Sequence, residues 1–429
     1  MKSLRRAFIA AALCVLTAST LAQTTTLRFA WWGGGERHER TLKAIALFEA
    51  RNPGVKIRCE YGGIAGYLEK LTTQMVGGTE PDVMQINWAW LAMFSRTGEG
   101  FADLNAYKSV IALDQFAAED LRMNTIAGHL NGLAPSYTAR VFLWNQAAFA
   151  RAGLPLPRTW EELFASGEVF RTKLGKEAYP IDGELYDMVL LAQAYIFQKY
   201  GTPYVHSSEH RVAMSPEALL EWVQVYKRLV DGHVATPLPY RASLGGAEKP
   251  TEQQQDWVVG KWAGNYTWDS SIRLRQSTLD KEQKLEVGEF LMLPGAKNSG
   301  MFGRPAMLFA VSKRSKHPEL AARFISFLLT DPEAVRALGL TRGMPTARNA
   351  YALLAQENKV QPLELKAYQQ IKAQKDAGRV ELPAPAFEDA RFRKFIREVF
   401  ETVAYGKASE QQAAQRLLVD GNAILKRIK

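Results

Sequence analysis

The chain has 429 residues, of which 47% are hydrophobic, and carries a formal net charge of +10. A chain of this length exceeds what a single hydrophobic core supports, so we expect two domains. The sequence has no Lys/Arg-rich block interleaved with aromatic residues and no zinc-ligand spacing, which argues against nucleic acid as a partner and against a bound metal or other cofactor. The positive charge then favours an acidic small ligand, or it serves only to keep the protein in solution.

The first 22 residues have the layout of a cleavable secretory signal. A basic start precedes an apolar run from Ala7 to Leu16, and small residues end at Ala22. The run is too short to cross the ~30 Å hydrocarbon core of a membrane as a helix. Cys14 raises the alternative of a lipoprotein, but Leu13 stands where such sites need a small side chain. We expect the mature chain to begin near Gln23 in the periplasm, and the loss of three cations with the signal reduces its formal charge to +7.

Strand-like runs over residues 26–32, 55–61 and 83–87 alternate with stretches in which apolar residues recur at helical spacing. A run of three glycines at 33–35 opens the first helix, and Asn52-Pro53-Gly54 ends it. The alternation predicts an α/β fold with a mostly parallel sheet covered by helices on both faces. Ligands of such sheets bind outside the carboxyl ends of the strands, where the sequence places several tryptophans.

Capping residues predict three later helix starts. These are Thr159 with Glu162, Ser215 before Pro216, and Asp331 before Pro332. No Pro/Gly/Ser-rich linker divides the chain into two halves, which indicates domains built from interleaved segments.

Five segments have a recognisable form in a recognisable order. They are Leu42–Pro53, Leu71–Asp82, Gly153–Leu163, Gly260–Trp268 and Pro318–Pro332. Together they resemble the family 1 extracellular solute-binding proteins of ABC importers, the group that includes maltose-binding protein. Four longer runs are WWGGGERH from Trp31, LTTQMVGGTEPDVMQINWAWLAMFS from Leu71, LNGLAPSYTARVFLWN from Leu130 and GKWAGNYTWDSS from Gly260. These runs resemble the periplasmic oligogalacturonide-binding proteins of pectin-degrading bacteria.

The resemblance implies a two-lobed periplasmic-binding-protein fold of the class II type, in which each lobe is a mostly parallel sheet flanked by helices. It places hinge crossovers at 135–137, 303–307 and 343–345, an N-terminal lobe at 23–134 and 308–342, and a C-terminal lobe at 138–302 and 346–429. The ligand would lie in the cleft between the lobes and be captured by hinge closure. The implied function is the periplasmic solute-binding component of a carbohydrate ABC transporter, monomeric and not an enzyme, which delivers an acidic oligosaccharide to permease subunits.

Aromatic faces suit the C–H sides of sugar rings, so tryptophans near strand ends are candidates for stacking. Trp268 is the foremost candidate because its place in GKWAGNYTWDSS resembles the family position of a sugar-stacking aromatic. Trp31 and Trp90 are further candidates. For each of them, packing in the core or between the lobes is the alternative.

Arginine is the best match for a uronic acid carboxylate, since its planar fork can bond both oxygens. Arg140 and Arg304 lie beside the first two expected crossovers, and an internal salt bridge is the alternative for each. Arg37 follows the glycine run and would face either the cleft or solvent. The backbone N–H of Gly34 could meet an anion, or the run could be only a tight turn. Asn87 could read sugar hydroxyls or cap the next helix.

Two other functions compete with this interpretation. A secreted enzyme acting on acidic polysaccharide would need two carboxyls across one bond or a catalytic base, and the sequence contains no HExxH or GxSxG motif. A binding protein of the same fold could take a neutral oligosaccharide or a polyol. The acidic residues between Asp182 and Asp187 do not have the spacing of an EF-hand calcium loop, and a solvated turn is the simpler interpretation.

Overall fold

The computed structural model describes residues 24–206, 209–380 and 382–428. The expected secretory signal, residues 1–22, lies outside the described residues. Within the described ranges, no helix combines the length and the apolar character needed to cross a membrane.

The strands are β1 Thr25–Trp32, β2 Val55–Gly62, β3 Val83–Ile86, β4 Thr125–Ile126, β5 His129–Leu130, β6 Tyr137–Asn145, β7 Gly264–Trp268, β8 Leu285–Val287, β9 Gly303–Pro305 and β10 Leu308–Val311. The helices are α1 Gly35–Arg51, α2 Tyr67–Gly77, α3 Leu91–Phe94, α4 Ala118–Arg122, α5 Gln146–Ala152, α6 Trp160–Leu174, α7 Leu185–Tyr200, α8 Pro216–Asp231, α9 Leu238–Ser243, α10 Gln255–Val258, α11 Ile272–Ser277, α12 Pro318–Thr330, α13 Pro332–Leu338, α14 Arg348–Gln356, α15 Pro362–Asp376, α16 Ala390–Ala404 and α17 Glu410–Arg427. Short 3₁₀ turns include Trp88–Trp90, Asp269–Ser271 and Pro385–Glu388.

The first sheet has the strand order β10-β3-β1-β2, with β1 parallel to β2 and β3, and with β10 antiparallel to β3. Successive side chains of β1 fill both faces. Phe29 and Trp31 pack with α1, α12 and α13, whereas Ala30 and Trp32 pack with α2. The mostly parallel sheet that the sequence predicts here is confirmed, and its burial on both faces explains the nearly continuous apolar run of β1.

The second sheet differs from the expectation. Its path is β7-β6-β8, with β9 also paired to β6, and all three ladders on β6 are antiparallel. Among the described residues, parallel pairing in this part of the chain is confined to isolated bridges such as Tyr179 to Trp262 and Ile181 to Ala235. β6 runs away from the first crossover while β9 runs back toward the first sheet, which explains why these two strands are antiparallel.

The predicted helix starts are confirmed by their hydrogen bonds. Thr159 and Glu162 form a capping box at the start of α6. The side chain of Ser215 accepts from the Ala218 N–H at the start of α8, and that of Asp331 accepts from backbone N–H groups at the start of α13. These side chains accept hydrogen bonds from backbone N–H groups that would otherwise have no partner, so their role is structural.

The three segments expected as crossovers, here called the joining segments, contact one another. β6 pairs with β9, Ser136 bridges to Pro345, and the Ala306 N–H donates to the Ser136 carbonyl at 3.1 Å. These contacts lie in or beside the segments expected as crossovers. Their action as hinges stays a prediction.

The helix α14 packs with the first sheet. Ala347, Ala350 and Leu354 share one buried cluster with Phe29 and with residues of α12 and α13. The sequence-based boundary at residue 342 leaves this helix in the other lobe. We therefore propose that the N-terminal lobe extends to the end of α14, and the other lobe boundaries stay predictions.

Candidate functional site

A cavity of about 480 Å³ lies where the three joining segments meet. The first sheet's side supplies Arg37, Thr341 and Arg342, the second sheet's side supplies Trp268, Asp269 and Arg304, and the joining segments supply most of the rest. The remaining lining residues are Ser136, Tyr137, Thr138, Ser270, Ala306, Met307, Leu340, Gly343, Met344 and Glu364. A concave site that mixes one aromatic face with several charged groups suits a polar small ligand.

Arg342 is a buried cation without a counter-charge. Only 7% of the residue is exposed. Its Nε donates to Gln85 Oε1 at 2.9 Å and its Nη1 to Thr41 Oγ1 at 3.0 Å, while Nη2 has no partner among the described residues. In the described part of the chain no carboxylate pairs with it. Burial, and then repulsion from Arg37, lowers the pKa of Arg342 to about 9.

Arg37 lies beside it on the first turn of α1. Its Nε donates to the Thr341 carbonyl at 2.9 Å and its Nη1 to the Trp32 carbonyl at 3.2 Å. Both partners are neutral, and burial lowers the pKa of Arg37. A Cβ at Gly33 would stand 2.5 Å from the Arg37 Cδ, so the glycine makes room for this side chain. Two guanidinium groups that share a cavity and hold only neutral partners form a site that favours an anion.

Trp268 presents a half-buried ring to the cavity. The Arg140 guanidinium lies 4.7 Å from a Trp268 ring centroid, and the Arg304 guanidinium lies 5.3 Å from it. Arg140 also pairs with Asp187 at 2.5 Å, and Arg304 pairs with Glu388 at 2.9 Å. For both arginines, the structure therefore favours the internal salt bridge over a free group that waits for a ligand.

Trp31 is fully buried, at 0% exposure, between the rings of Phe29 and Tyr61. Its Nε1 donates to His38 Nδ1 at 3.1 Å. Trp31 therefore has the core position that was its alternative, because a sheet covered on both faces takes up alternate side chains in its core, and its contact with a ligand stays a prediction. Trp90 is half-buried and packs on the Trp32 ring at 5.4 Å.

Asn87 and Gly34 both serve as helix caps. Asn87 Oδ1 accepts from the Ala89 N–H at 3.0 Å and so caps the turn Trp88–Trp90, which was the alternative weighed from the sequence. Gly34 is the N-cap of α1, where its carbonyl accepts from the His38 N–H at 3.1 Å. The contact of the Gly34 N–H with an anion stays a prediction.

Three charged lining residues, Asp269, Arg342 and Glu364, were not among the candidates from the sequence. Asp269 Oδ1 accepts from Thr138 Oγ1 at 2.5 Å and from the Ala139 N–H at 3.2 Å, and burial raises its pKa to about 6. Arg342 was missed although it stands at the third expected crossover. The argument made for Arg304, that an arginine at a crossover needs an anion, applies to Arg342 equally and could have found it.

The acidic residues of the second lobe belong to ion pairs. Asp182 is bonded to Arg241 and Thr251, and Glu184 lies 3.4 Å from Arg275. Across the described ranges, no group of three His, Cys, Asp or Glu side chains is arranged to hold a metal ion. The turn expected to be solvated is instead part of a buried salt-bridge network.

Two helix-flanked sheets with a charged cavity between them define a two-lobed solute-binding protein. The chain belongs to the bacterial extracellular solute-binding protein family, whose model matches residues 34–335. It is similar to a periplasmic oligogalacturonide-binding protein of Yersinia enterocolitica, with 38% identity, 94% of this chain and 100% of that chain covered, and a TM-score of 0.85. The predicted two-lobed α/β fold and the family resemblance are confirmed by these matches.

The Yersinia protein is also known in complex with saturated digalacturonic acid, and that structure matches with 38% identity, 94% and 99% coverage and a TM-score of 0.81. A de novo designed cysteine esterase matches with 37% identity, 95% and 100% coverage and a TM-score of 0.88. A binding protein of Brucella abortus is 28% identical over 47% of this chain. The chain spans about half the length of that curated relative, 48% of it.

Proposed function

We propose that this protein is the periplasmic solute-binding component of a carbohydrate ABC importer and that it captures an acidic oligosaccharide of the galacturonate type. The observation that carries the proposal is the pair Arg37 and Arg342, which line one cavity and hold only neutral partners among the described residues. A ligand carboxylate would supply the missing counter-charge and accept from the unpaired Nη2 of Arg342.

The remaining lining residues suit the rest of a sugar. Trp268 offers an aromatic face for the C–H side of a ring, and Asp269 and Thr138 offer oxygens for its hydroxyls. The digalacturonate complex of the Yersinia relative supports this ligand class. Arg304 lines the same cavity with its charge already paired, so we assign the carboxylate to Arg37 and Arg342.

Membership of the family supports the remaining parts of the proposal. Capture would close the cleft by rotation about the three joining segments, and the closed form, a monomer, would deliver the sugar to permease subunits at the membrane. Binding must be reversible for delivery, and the cavity's hydrogen-bonding and stacking groups suit reversible binding. We expect no turnover of the sugar.

Calorimetry with digalacturonic acid, maltotriose and a polyol tests the ligand class. We expect the protein to bind the acidic sugar and neither of the others. With that sugar present at about a hundredfold its Kd, the free energy of unfolding should rise by about 2.7 kcal/mol, which thermal unfolding would show. Arg37→Gln should abolish most of the binding, whereas Arg58→Gln, which removes the same charge from an exposed position on β2, should not. Binding of maltotriose with equal affinity would refute the acidic class, and release of product from polygalacturonate would restore the enzyme alternative.

A further inference from the structure

Trp268 stands in a frame of two guanidinium groups on one face of the second sheet. In the ladder of β6 and β7, Arg140 lies directly opposite Trp268, and in the ladder of β6 and β9, Arg304 lies opposite Thr138. Because Thr138 and Arg140 are two residues apart on β6, all of these side chains project from the same face. The guanidinium groups of Arg140 and Arg304 lie 4.7 Å and 5.3 Å from Trp268 ring centroids.

Each guanidinium is held by one buried carboxylate and one carbonyl. Arg140 pairs with Asp187 at 2.5 Å and donates to the Tyr266 carbonyl at 3.3 Å. The carboxylate comes from the first turn of α7, and its residue is 4% exposed. Both contacts are made by Nη1, and they hold that end of the guanidinium near the Trp268 ring.

The second guanidinium has the same arrangement. The Nε of Arg304 donates to Glu388 Oε2 at 2.9 Å, and its Nη1 donates to the Pro305 carbonyl at 3.0 Å. Glu388 ends the 3₁₀ turn Pro385–Glu388, which also contacts the turn Trp88–Trp90 that follows the first sheet. One of the two guanidinium groups beside Trp268 is therefore held by α7. The other is held by a turn that contacts the lobe of the first sheet.

We propose that Asp187 and Glu388 are positioning residues, which act through Arg140 and Arg304 to hold the Trp268 indole in the orientation that meets a sugar ring. The proposal rests on the proposed function, since it takes Trp268 as the stacking residue. An indole that is free to rotate must be ordered when the ligand binds, and that ordering weakens affinity. Guanidinium groups fixed beside the ring remove this loss before the ligand arrives.

The competing explanation is that the two ion pairs only stabilise the second lobe. Coupling to Trp268 distinguishes the two explanations, because a stabilising pair has no reason to depend on that side chain. At pH 8, above the pKa of about 7 to which burial raises Asp187, Asp187→Asn keeps the size of the side chain and removes its charge, and Glu388→Gln is the same kind of change. Arg304→Lys is a second kind of variant, since it keeps the charge and loses the planar fork.

The first measurement is the Kd for digalacturonic acid by calorimetry, in the otherwise unchanged protein and in a Trp268→Ala background. We expect each of the three variants to weaken binding by roughly tenfold in the first background and by less than about twofold in the second. Glu319→Gln, which breaks the exposed pair with Arg323, is the matched control and should change neither. Unchanged affinity, or an equal loss in both backgrounds, would overturn the proposal.

The second measurement does not depend on the ligand. In protein labelled with 5-fluorotryptophan, the ¹⁹F resonance of Trp268 is assigned from its absence in Trp268→Phe. We expect that resonance to shift and broaden in Glu388→Gln and in Arg304→Lys and to stay unchanged in Glu319→Gln. If the unchanged protein fails to bind digalacturonic acid, the proposed function is refuted, and an unaltered Trp268 resonance in the variants would separately refute the positioning role.

Discussion

Replacement of Arg342 by glutamine should have opposite effects on stability and on binding. Each pKa unit corresponds to about 1.4 kcal/mol, so a pKa lowered from 12.5 to about 9 equals a penalty of about 5 kcal/mol on burying the charge. The variant gives up hydrogen bonds to Thr41 and Gln85, which are worth about 1–3 kcal/mol together. We therefore expect Arg342→Gln to raise the free energy of unfolding of the ligand-free protein by about 2–4 kcal/mol.

The same change should remove most of the affinity for an acidic sugar. A hydrogen bond to a charged group is worth about 1.5–3 kcal/mol, so the Kd for digalacturonic acid should rise by roughly 10- to 150-fold. Urea denaturation without ligand and calorimetry with ligand measure the two effects separately. Arg58→Gln, an exposed change of the same charge, should leave both quantities close to those of the unchanged protein.

The pH dependence provides a further check on Arg342. Because its pKa in the folded state lies below the unfolded value, the penalty is fully present below pH 9 and fades as the pH rises above 9. The stability advantage of Arg342→Gln should shrink over that range. A variant that is less stable at pH 7 and still binds digalacturonic acid normally would refute the reasoning.

Three further outcomes are expected. Burial raises the pKa of Asp187 to about 7 and that of Asp269 to about 6, so the folded protein takes up protons that the unfolded chain does not, and the free energy of unfolding should fall as pH rises from about 4 to about 7. Denaturation of Asp187→Asn across this range should show a shallower slope, and an unchanged slope would contradict the assignment. Gly33→Ala should push Arg37 aside and weaken binding of digalacturonic acid by roughly tenfold, as calorimetry would show, and should also lower the unfolding midpoint because the new Cβ stands 2.9 Å from the Arg37 Cβ. Trp31→Phe should lower the free energy of unfolding by about 1–3 kcal/mol and leave the Kd within about twofold, and a selective loss of binding would return Trp31 to the site.

For the first sheet, short-range pattern was enough to predict the three parallel strands but not β10, which pairs antiparallel with β3 from far along the chain. The three parallel strands follow one another with single helices between them, and Thr159 and Asp331 cap their helices as the sequence indicates. The second sheet depends on contacts that are distant in sequence, because β7, β8 and β9 are short strands that reach β6 only after long helical excursions. Pattern within a short window contains no signal for the direction of such pairings.

The tryptophans show a second limit of prediction from the sequence, which concerns burial. Trp31 was a candidate for the ligand because it stands near a strand end, but both Trp31 and its neighbour Trp32 are buried, since helices cover both faces of the sheet. A period of two reports which face a side chain takes and not whether that face meets solvent. Trp268, at the last position of β7, escapes full burial because the sheet ends there and the cavity begins.

The arginines show why the site could be predicted only in part from the sequence. Arg140 and Arg304 at the joining segments were chosen because a buried guanidinium needs an anion, and each has one in Asp187 and Glu388. These partners are far away along the chain, 84 residues in the case of Arg304, so no local pattern reveals them. Arg342 has the same requirement, and no described residue supplies its anion. A paired arginine is suited to fix its neighbours, whereas an unpaired one is suited to bind a ligand, and only the folded chain decides which is which.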